Sequence, residues 1–206
     1  MPGQINNNTE FGQILYDLSC NKEYMSYVEI GTWNGQGSTK CIMDGLLSRR
    51  DLSILYSLET NKKFYDMACD YWAPQLAMYR VPKLNLIYGR IVEAADISSV
   101  EDIQQYDEYD SRYLDWRSED EENYQKCENV IDKLPEQIDV LLLDGGEFTS
   151  YAEYSVLKDR TKVLVLDDTR VYKNKKVRSE LIGNDNWKLL YDNLQDRNGT
   201  TIFERL

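Results

Sequence analysis

Two stretches of this chain, residues 138–143 (Ile-Asp-Val-Leu-Leu-Leu) and 163–166 (Val-Leu-Val-Leu), are apolar almost without interruption, and an acidic residue follows each. A strand with one face in water alternates polar and apolar residues. An unalternating run is covered on both faces, as in the central strands of a parallel sheet flanked by helices. Parallel strands need crossover connections, and the remaining sequence supplies them. Apolar residues recur at helical spacing over 11–18, and a short buried strand follows over 27–30. After a glycine-rich turn, Ile42, Met43, Leu46 and Leu47 form a stripe on a helix over 39–49, and a strand over 53–58 ends at Glu59. A helix over 62–71 and a strand over 84–88 continue the rhythm, and segments 188–191 and 200–204 read as a terminal strand pair.

This pattern predicts an α/β fold: a Rossmann-like, doubly wound, mostly parallel seven-stranded sheet with helices on both faces and a C-terminal antiparallel strand. At 206 residues the chain fits one domain spanning 1–206. No window holds the ~18 apolar residues of a membrane span, and the N-terminus lacks the layout of a signal peptide, so the expected location is cytoplasmic. The formal charge of −12 would repel a phosphate backbone, which argues against a nucleic-acid partner. The absence of histidine excludes Ser-His-Asp hydrolysis, Cys-His proteolysis and His-ligated zinc. Cys20, Cys41, Cys69 and Cys127 lie too far apart in sequence for a CxxC site and read as reduced thiols.

Residues 97–135 break the rhythm. They are acidic and carry Tyr106, Tyr109, Tyr113, Trp116 and Tyr124 among Asp and Glu. Such a stretch reads as one or two solvated helices over the sheet edge, and its place beside strand ends also suits a substrate lid.

Five short constellations carry chemistry. The first is Glu29-Ile-Gly31-Thr32-Trp33-Asn-Gly35-Gln-Gly37-Ser38, between a strand and a helix. Glycines allow a sharp turn and close ligand approach, and a helix N-terminus offers unpaired N–H groups. The second is Glu59, 22 residues after Gly37, placed at a strand end where an acid can accept hydrogen bonds from ribose hydroxyls. Asn61 reads as the cap of the next helix. The third is Tyr88-Gly89-Arg90-Ile91. The fourth is Asp144-Gly-Gly-Glu147 and the fifth Asp167-Asp168, each following one of the apolar runs.

The spacing E-x-G-x-x-x-G-x-G resembles motif I of the class I S-adenosylmethionine-dependent methyltransferases rather than the dinucleotide fingerprint G-x-G-x-x-G. The resemblance covers roughly residues 27–180. It implies cofactor binding by Glu29, Gly31, Thr32, Gly35, Gly37, Ser38, Glu59, Gly89, Arg90 and Asp144. Within that superfamily, the strand-Asp-Gly and strand-Asp-Asp pattern resembles metal-dependent sugar and small-molecule O-methyltransferases and the cephalosporin-hydroxylase-like group. Many of those relatives carry a histidine after the Asp-Gly pair; Glu147 stands there here.

Three carboxylates aimed at one region need a proton, a basic partner or a divalent metal, and oxygen-only ligands suit Mg²⁺ or Mn²⁺. The metal expectation therefore falls on Asp144, Asp167 and Asp168, and the catalytic one on Asp144, Glu147 and Asp168. The plainer alternative has Asp167 and Asp168 capping a helix near Lys175 and Asp144 meeting the methionine amino group. The expected reaction is methyl transfer to a hydroxyl of a sugar (glycan) or similar polyol. Two rivals stay open: a metal-independent N- or O-methyltransferase of another small molecule, and a non-catalytic interaction module of the same fold. The partners expected are a small-molecule or glycan acceptor, with a homodimer and a place within a larger glycan-assembly enzyme also open.

Overall fold

A computed structural model of the protein describes residues 5–49, 51–78 and 83–206. The helices are α1 (Glu10–Cys20), α2 (Ser38–Arg49), α3 (Lys62–Leu76), α4 (Val100–Gln104), α5 (Arg112–Lys126), α6 (Ser150–Leu157) and α7 (Tyr172–Leu181). The strands are β1 (Ser26–Ile30), β2 (Ile54–Glu59), β3 (Lys83–Tyr88), β4 (Ile138–Leu143), β5 (Thr161–Asp167), β6 (Trp187–Asn193) and β7 (Thr200–Arg205). They form one sheet in the order β3-β2-β1-β4-β5-β7-β6. β1 to β5 pair in parallel, and β7 inserts antiparallel between β5 and β6.

The unalternating runs do lie at the centre. Leu141 and Leu143 of β4 pack with Leu164 and Leu166 of β5 into one core cluster, while Val140 and Leu142 join Val163 and Val165 in a second. The second cluster is completed by α1, α2 and α3 through Phe11, Leu15, Ile42, Leu46 and Trp72. The first is completed by the later helices through Ile103, Tyr113, Tyr124, Tyr154 and Val177. The sheet is thus covered on both faces, as predicted. Asp139, the polar exception in the β4 run, sits at the strand's start, where its carboxylate accepts from the Met25 and Ser26 amides at 2.7 and 2.9 Å.

This topology fixes where a ligand can bind. Successive strands run outward from β1 to β3 on one side and from β4 to β5 on the other, so the order reverses between β1 and β4. Ligands of open α/β sheets lie outside the C-terminal strand ends at that reversal. The backbone is tied there, the Asp144 amide donating to the Ile30 carbonyl at 3.0 Å. No helix among the described residues is long and apolar enough to cross a membrane, and the described cysteines are all free thiols.

Candidate active site at the strand ends

The turn after β1 begins with Gly31, whose φ of +100° falls in the left-handed region. A Cβ added there would stand 2.2 Å from the Asp144 carbonyl oxygen, so no larger residue fits the reversal point. The Gly31 and Thr32 amides donate to the Leu58 carbonyl at 2.9 and 3.0 Å, which binds the turn to the end of β2. Glu59, the last residue of β2, accepts from the Trp33 amide at 2.7 Å and the Asn61 amide at 2.8 Å. Burial pushes its carboxyl up to about 7, against the pull of those amides. The Asn61 side chain caps α3 by accepting from the Lys63 amide at 3.1 Å, as its position implied.

Gly31, Thr32, Gly37, Ser38 and Glu59 line a cavity of about 720 Å³. The volume, and the meeting of glycine backbone and hydroxyls with the Glu59 carboxylate at this end, suit a nucleoside-bearing ligand, since ligand pockets commonly span roughly 300–1,000 Å³. Trp33 and Phe64 form part of its wall, their rings 6.0 Å apart. Trp116, Glu119, Asp120 and Asn123 of α5 line it as well. Those four positions follow helical i, i+3, i+4, i+7 spacing, so one face of α5 forms the wall. The acidic insertion therefore reaches the cavity instead of only covering a sheet edge.

Four residues expected at the cofactor are not part of this cavity's lining. Glu29 is fully buried beneath the turn, accepting from the Thr39 and Ser57 hydroxyls. Gly35 packs on α3: its carbonyl accepts from the Trp72 indole at 2.9 Å, and a Cβ would meet that indole nitrogen at 2.8 Å. Gly89 is held against Val130, whose methyls would stand 2.6 Å from an added Cβ. Arg90 turns away from the cavity, pairing with Glu93 at 2.8 Å and donating to the Tyr124 carbonyl at 2.9 Å, which secures the end of α5. These residues shape the site from behind. Each is held by a partner distant in sequence.

Past β4 and β5 the structure gathers the acids that were expected together. Oxygens of Asp144, Asp167 and Asp168 all lie within 4.8 Å of one another. Neither aspartate of the β5 pair caps α7, whose N-cap is Val171; Asp168 adopts a left-handed φ of +56°, tolerable for Asp. Lys173, in the first turn of α7, reaches into the trio, its ammonium 3.0 Å from Asp144 and 2.8 Å from Asp168. From the β6–β7 turn, Arg197 pairs with Asp167 at 3.0 Å, and the Asn198 amide donates to Asp168 at 3.0 Å. Burial and the neighbouring Asp144 and Asp168 charges push the Asp167 carboxyl up. Burial acts the same way on Asp168, but the Lys173 ammonium and Asn198 hold it below its ordinary value.

A divalent ion does not fit this set as it stands. Two of its three carboxylates are already bridged by an ammonium and the third is paired with a guanidinium, so an entering dication would have to expel Lys173. The trio expected at a metal does assemble, and each of its carboxylates is paired with a cation of the protein itself.

Glu147 accepts from the Lys173 backbone amide at 3.2 Å. Burial raises its carboxyl, Lys173 draws it back down and Asp168 pushes it up. Glu147 and Lys173 also line a second cavity of about 480 Å³, walled by Tyr106, Tyr151 and Tyr172. They therefore stand between the two chambers. Lys173, Arg197 and Asn198 escaped sequence reasoning, because a lysine in the run Lys173-Asn-Lys-Lys and an arginine in a terminal turn carry no motif.

No family model and no curated protein matches the sequence. Solved structures do match. The fold is that of solved methyltransferases. An O-methyltransferase from Bacillus cereus in complex with S-adenosylhomocysteine is similar with a TM-score of 0.62 at 14% identity, over 99% of this chain and 84% of its own. An S-adenosylhomocysteine-bound methyltransferase from Podospora anserina gives 0.60 at 15% identity, over 95% and 78%. The O-methyltransferase TomG from Streptomyces achromogenes, involved in tomaymycin synthesis and solved with S-adenosylmethionine, gives 0.56 at 14% identity, over 95% and 79%.

Proposed function

We propose that this protein is an S-adenosylmethionine-dependent O-methyltransferase acting on a hydroxyl of a sugar (glycan) or similar polyol. The observation that carries the reading is one cavity at the sheet's reversal point that holds the Gly31–Ser38 turn, Glu59 and a carboxylate–lysine cluster together. The fold it shares with the solved methyltransferases supports the same reading.

Glu59 would accept the ribose hydroxyls, and the backbone of Gly31, Thr32, Gly37 and Ser38 would hold the methionine end beside Asp144. When bound, S-adenosylmethionine supplies an electrophilic methyl on a sulfonium. The chain's part is chiefly positional, because in-line displacement needs the nucleophile aligned with the methyl carbon. An acceptor hydroxyl held in line with that methyl would take it from the sulfonium, and Glu147 would accept the hydroxyl proton. A buried carboxylate with a raised pKa is a suitable base for that proton near neutral pH. Lys173 has three N–H donors, of which Asp144 and Asp168 take two, leaving one for the acceptor oxygen.

The acceptor itself suits the second chamber. Tyr106, Tyr151 and Tyr172 offer ring faces, and Ser98, Gln105 and Asp102 offer groups for hydroxyl recognition. Aromatic faces beside polar groups match the two-sided chemistry of a sugar ring.

Titrating the protein with S-adenosylhomocysteine in a calorimeter, beside the Glu59→Ala variant, tests the cofactor half. Saturable binding that Glu59→Ala weakens is expected; no heat from the parent protein would sink the proposal. Transfer of labelled methyl to a panel of monosaccharides and polyols tests the acceptor half, and labelling of amines alone would overturn the oxygen assignment.

A further inference from the structure

We propose that Lys173 is a built-in replacement for a divalent cation. Its ammonium sits where the acidic trio would otherwise hold a hard metal ion, and it makes the site independent of metal. The consequence for catalysis rests on the methyltransferase reading; the occupancy of the site by Lys173 does not.

Four observations carry this. The first is the donor set. Three carboxylates from two adjacent strand ends, with oxygens within 4.8 Å of one another, form an oxygen-only cluster of the kind that holds Mg²⁺ or Ca²⁺. The second is the geometry of the lysine. Its nitrogen lies 3.0 Å from Asp144 and 2.8 Å from Asp168, the separations of charge-assisted hydrogen bonds. Its side chain is only 10% exposed, so the ammonium has left bulk water. The third is its unfavourable starting point. A cation in the first turn of a helix opposes the helix dipole, and a buried ammonium is costly unless paired. Only the carboxylates make that placement tenable, and burial is outweighed by Asp144 and Asp168 in keeping the lysine charged.

The fourth observation is the anchor that denies Lys173 an easy exit. The neighbouring Asn174 is fully buried, and its side-chain amide donates to the Leu143 carbonyl at 3.0 Å and the Asp167 carbonyl at 2.6 Å. The first turn of α7 is thereby fastened to the ends of both β4 and β5. The Lys173 backbone amide is fixed in turn by Glu147. Arg197 meets the remaining carboxylate, so each member of the trio has a cationic partner within the protein.

An ammonium and a metal ion differ in what they offer an acceptor. A metal lowers the pKa of a bound hydroxyl by direct coordination, whereas an ammonium donates a hydrogen bond to the developing oxyanion. A site built on Lys173 must therefore rely on a carboxylate base, and Glu147 borders both chambers beside it.

Binding of Mn²⁺ alone to the full chain, followed by electron paramagnetic resonance, tests the proposal without reference to methyl transfer. The parent protein should leave millimolar Mn²⁺ free in solution. Lys173→Ala should gain one bound Mn²⁺ per chain, and adding Asp168→Asn should remove it again. A single Mn²⁺ bound by the parent and lost on Asp168→Asn would overturn the proposal, because the lysine would then yield to metal. A folded Lys173→Ala that binds no Mn²⁺ would overturn it too, reducing Lys173 to an ordinary ion pair. If that variant fails to fold, Lys173→Met, which keeps the length of the stem, takes its place with the same readings. Loss of S-adenosylhomocysteine binding by the parent would instead strike the methyltransferase reading and leave the Mn²⁺ result standing.

Discussion

Asp167 has one oxygen on Arg197 and a second that is buried without a partner, in a residue with no solvent exposure. Its stability therefore depends on a single guanidinium. Truncating one partner of a buried ion pair leaves an uncompensated charge, so Arg197→Ala should destabilise the fold by about 3 kcal/mol in urea titration. Asp167→Asn placed on top should recover most of that loss, and a double variant no more stable than Arg197→Ala alone would show that the pair contributes little. Glu147 invites a sharper functional experiment. Glu147→Gln keeps the volume and removes the proton acceptor, so turnover should fall by about 10²-fold or more while the calorimetric affinity for S-adenosylhomocysteine stays near the parent value. At this scale the sequence revealed the acids and concealed their partners. Asp144, Glu147, Asp167 and Asp168 announce themselves by following apolar runs, whereas Lys173 and Arg197 acquire meaning through contacts with Asp144 and Asp167, 29 and 30 residues away in sequence. Glu29, Gly35, Gly89 and Arg90 show the opposite case: a motif names them, while their contacts with Ser57, Trp72, Val130 and Tyr124 could not be read from it.

Among the elements, α5 joins the insertion to the body of the protein through a buried acid. The Tyr124 hydroxyl donates to Glu153 of α6 at 2.6 Å, and Asp120, one turn earlier, lies close enough to raise the same carboxyl. Burial pushes Glu153 from an ordinary 4.5 to about 7. A raised folded-state value means that the native protein favours the protonated acid, so this contribution is fully present below about 4.5 and lost as pH rises through about 7. Glu153→Gln retains an acceptor for Tyr124 and cannot ionise. Its melting temperature should match the parent near pH 4.5 and exceed it at pH 8, as read by scanning calorimetry. Equal pH profiles for the two proteins would argue against a buried, titrating Glu153. The strands were legible because β4 and β5 bury both faces and so lose the polar alternation that obscures edge strands. α5 was half legible: its aromatic and acidic residues identify a helix, but the stripe of Trp116, Glu119, Asp120 and Asn123 is too polar to signal a cavity wall.

Across the whole molecule, 36 acidic residues against 24 basic ones produce a surface that repels polyanions. Neither duplex DNA nor transfer RNA should shift in a native gel at micromolar protein and low salt, and a salt-sensitive shift would restore nucleic acid as a substrate class. The sheet order carries another consequence. Strand β7 enters between β5 and β6, so the turn bearing Arg197 and Asn198 closes on Asp167 and Asp168 only when the C-terminal hairpin docks. During synthesis, the parallel strands β1 to β5 leave the ribosome with Asp167 still awaiting its guanidinium. This edge of the sheet is thus the last to be completed, and a nascent chain halted before residue 197 would hold a nearly finished scaffold in which Lys173 already meets Asp144 and Asp168 while Asp167 lacks its guanidinium.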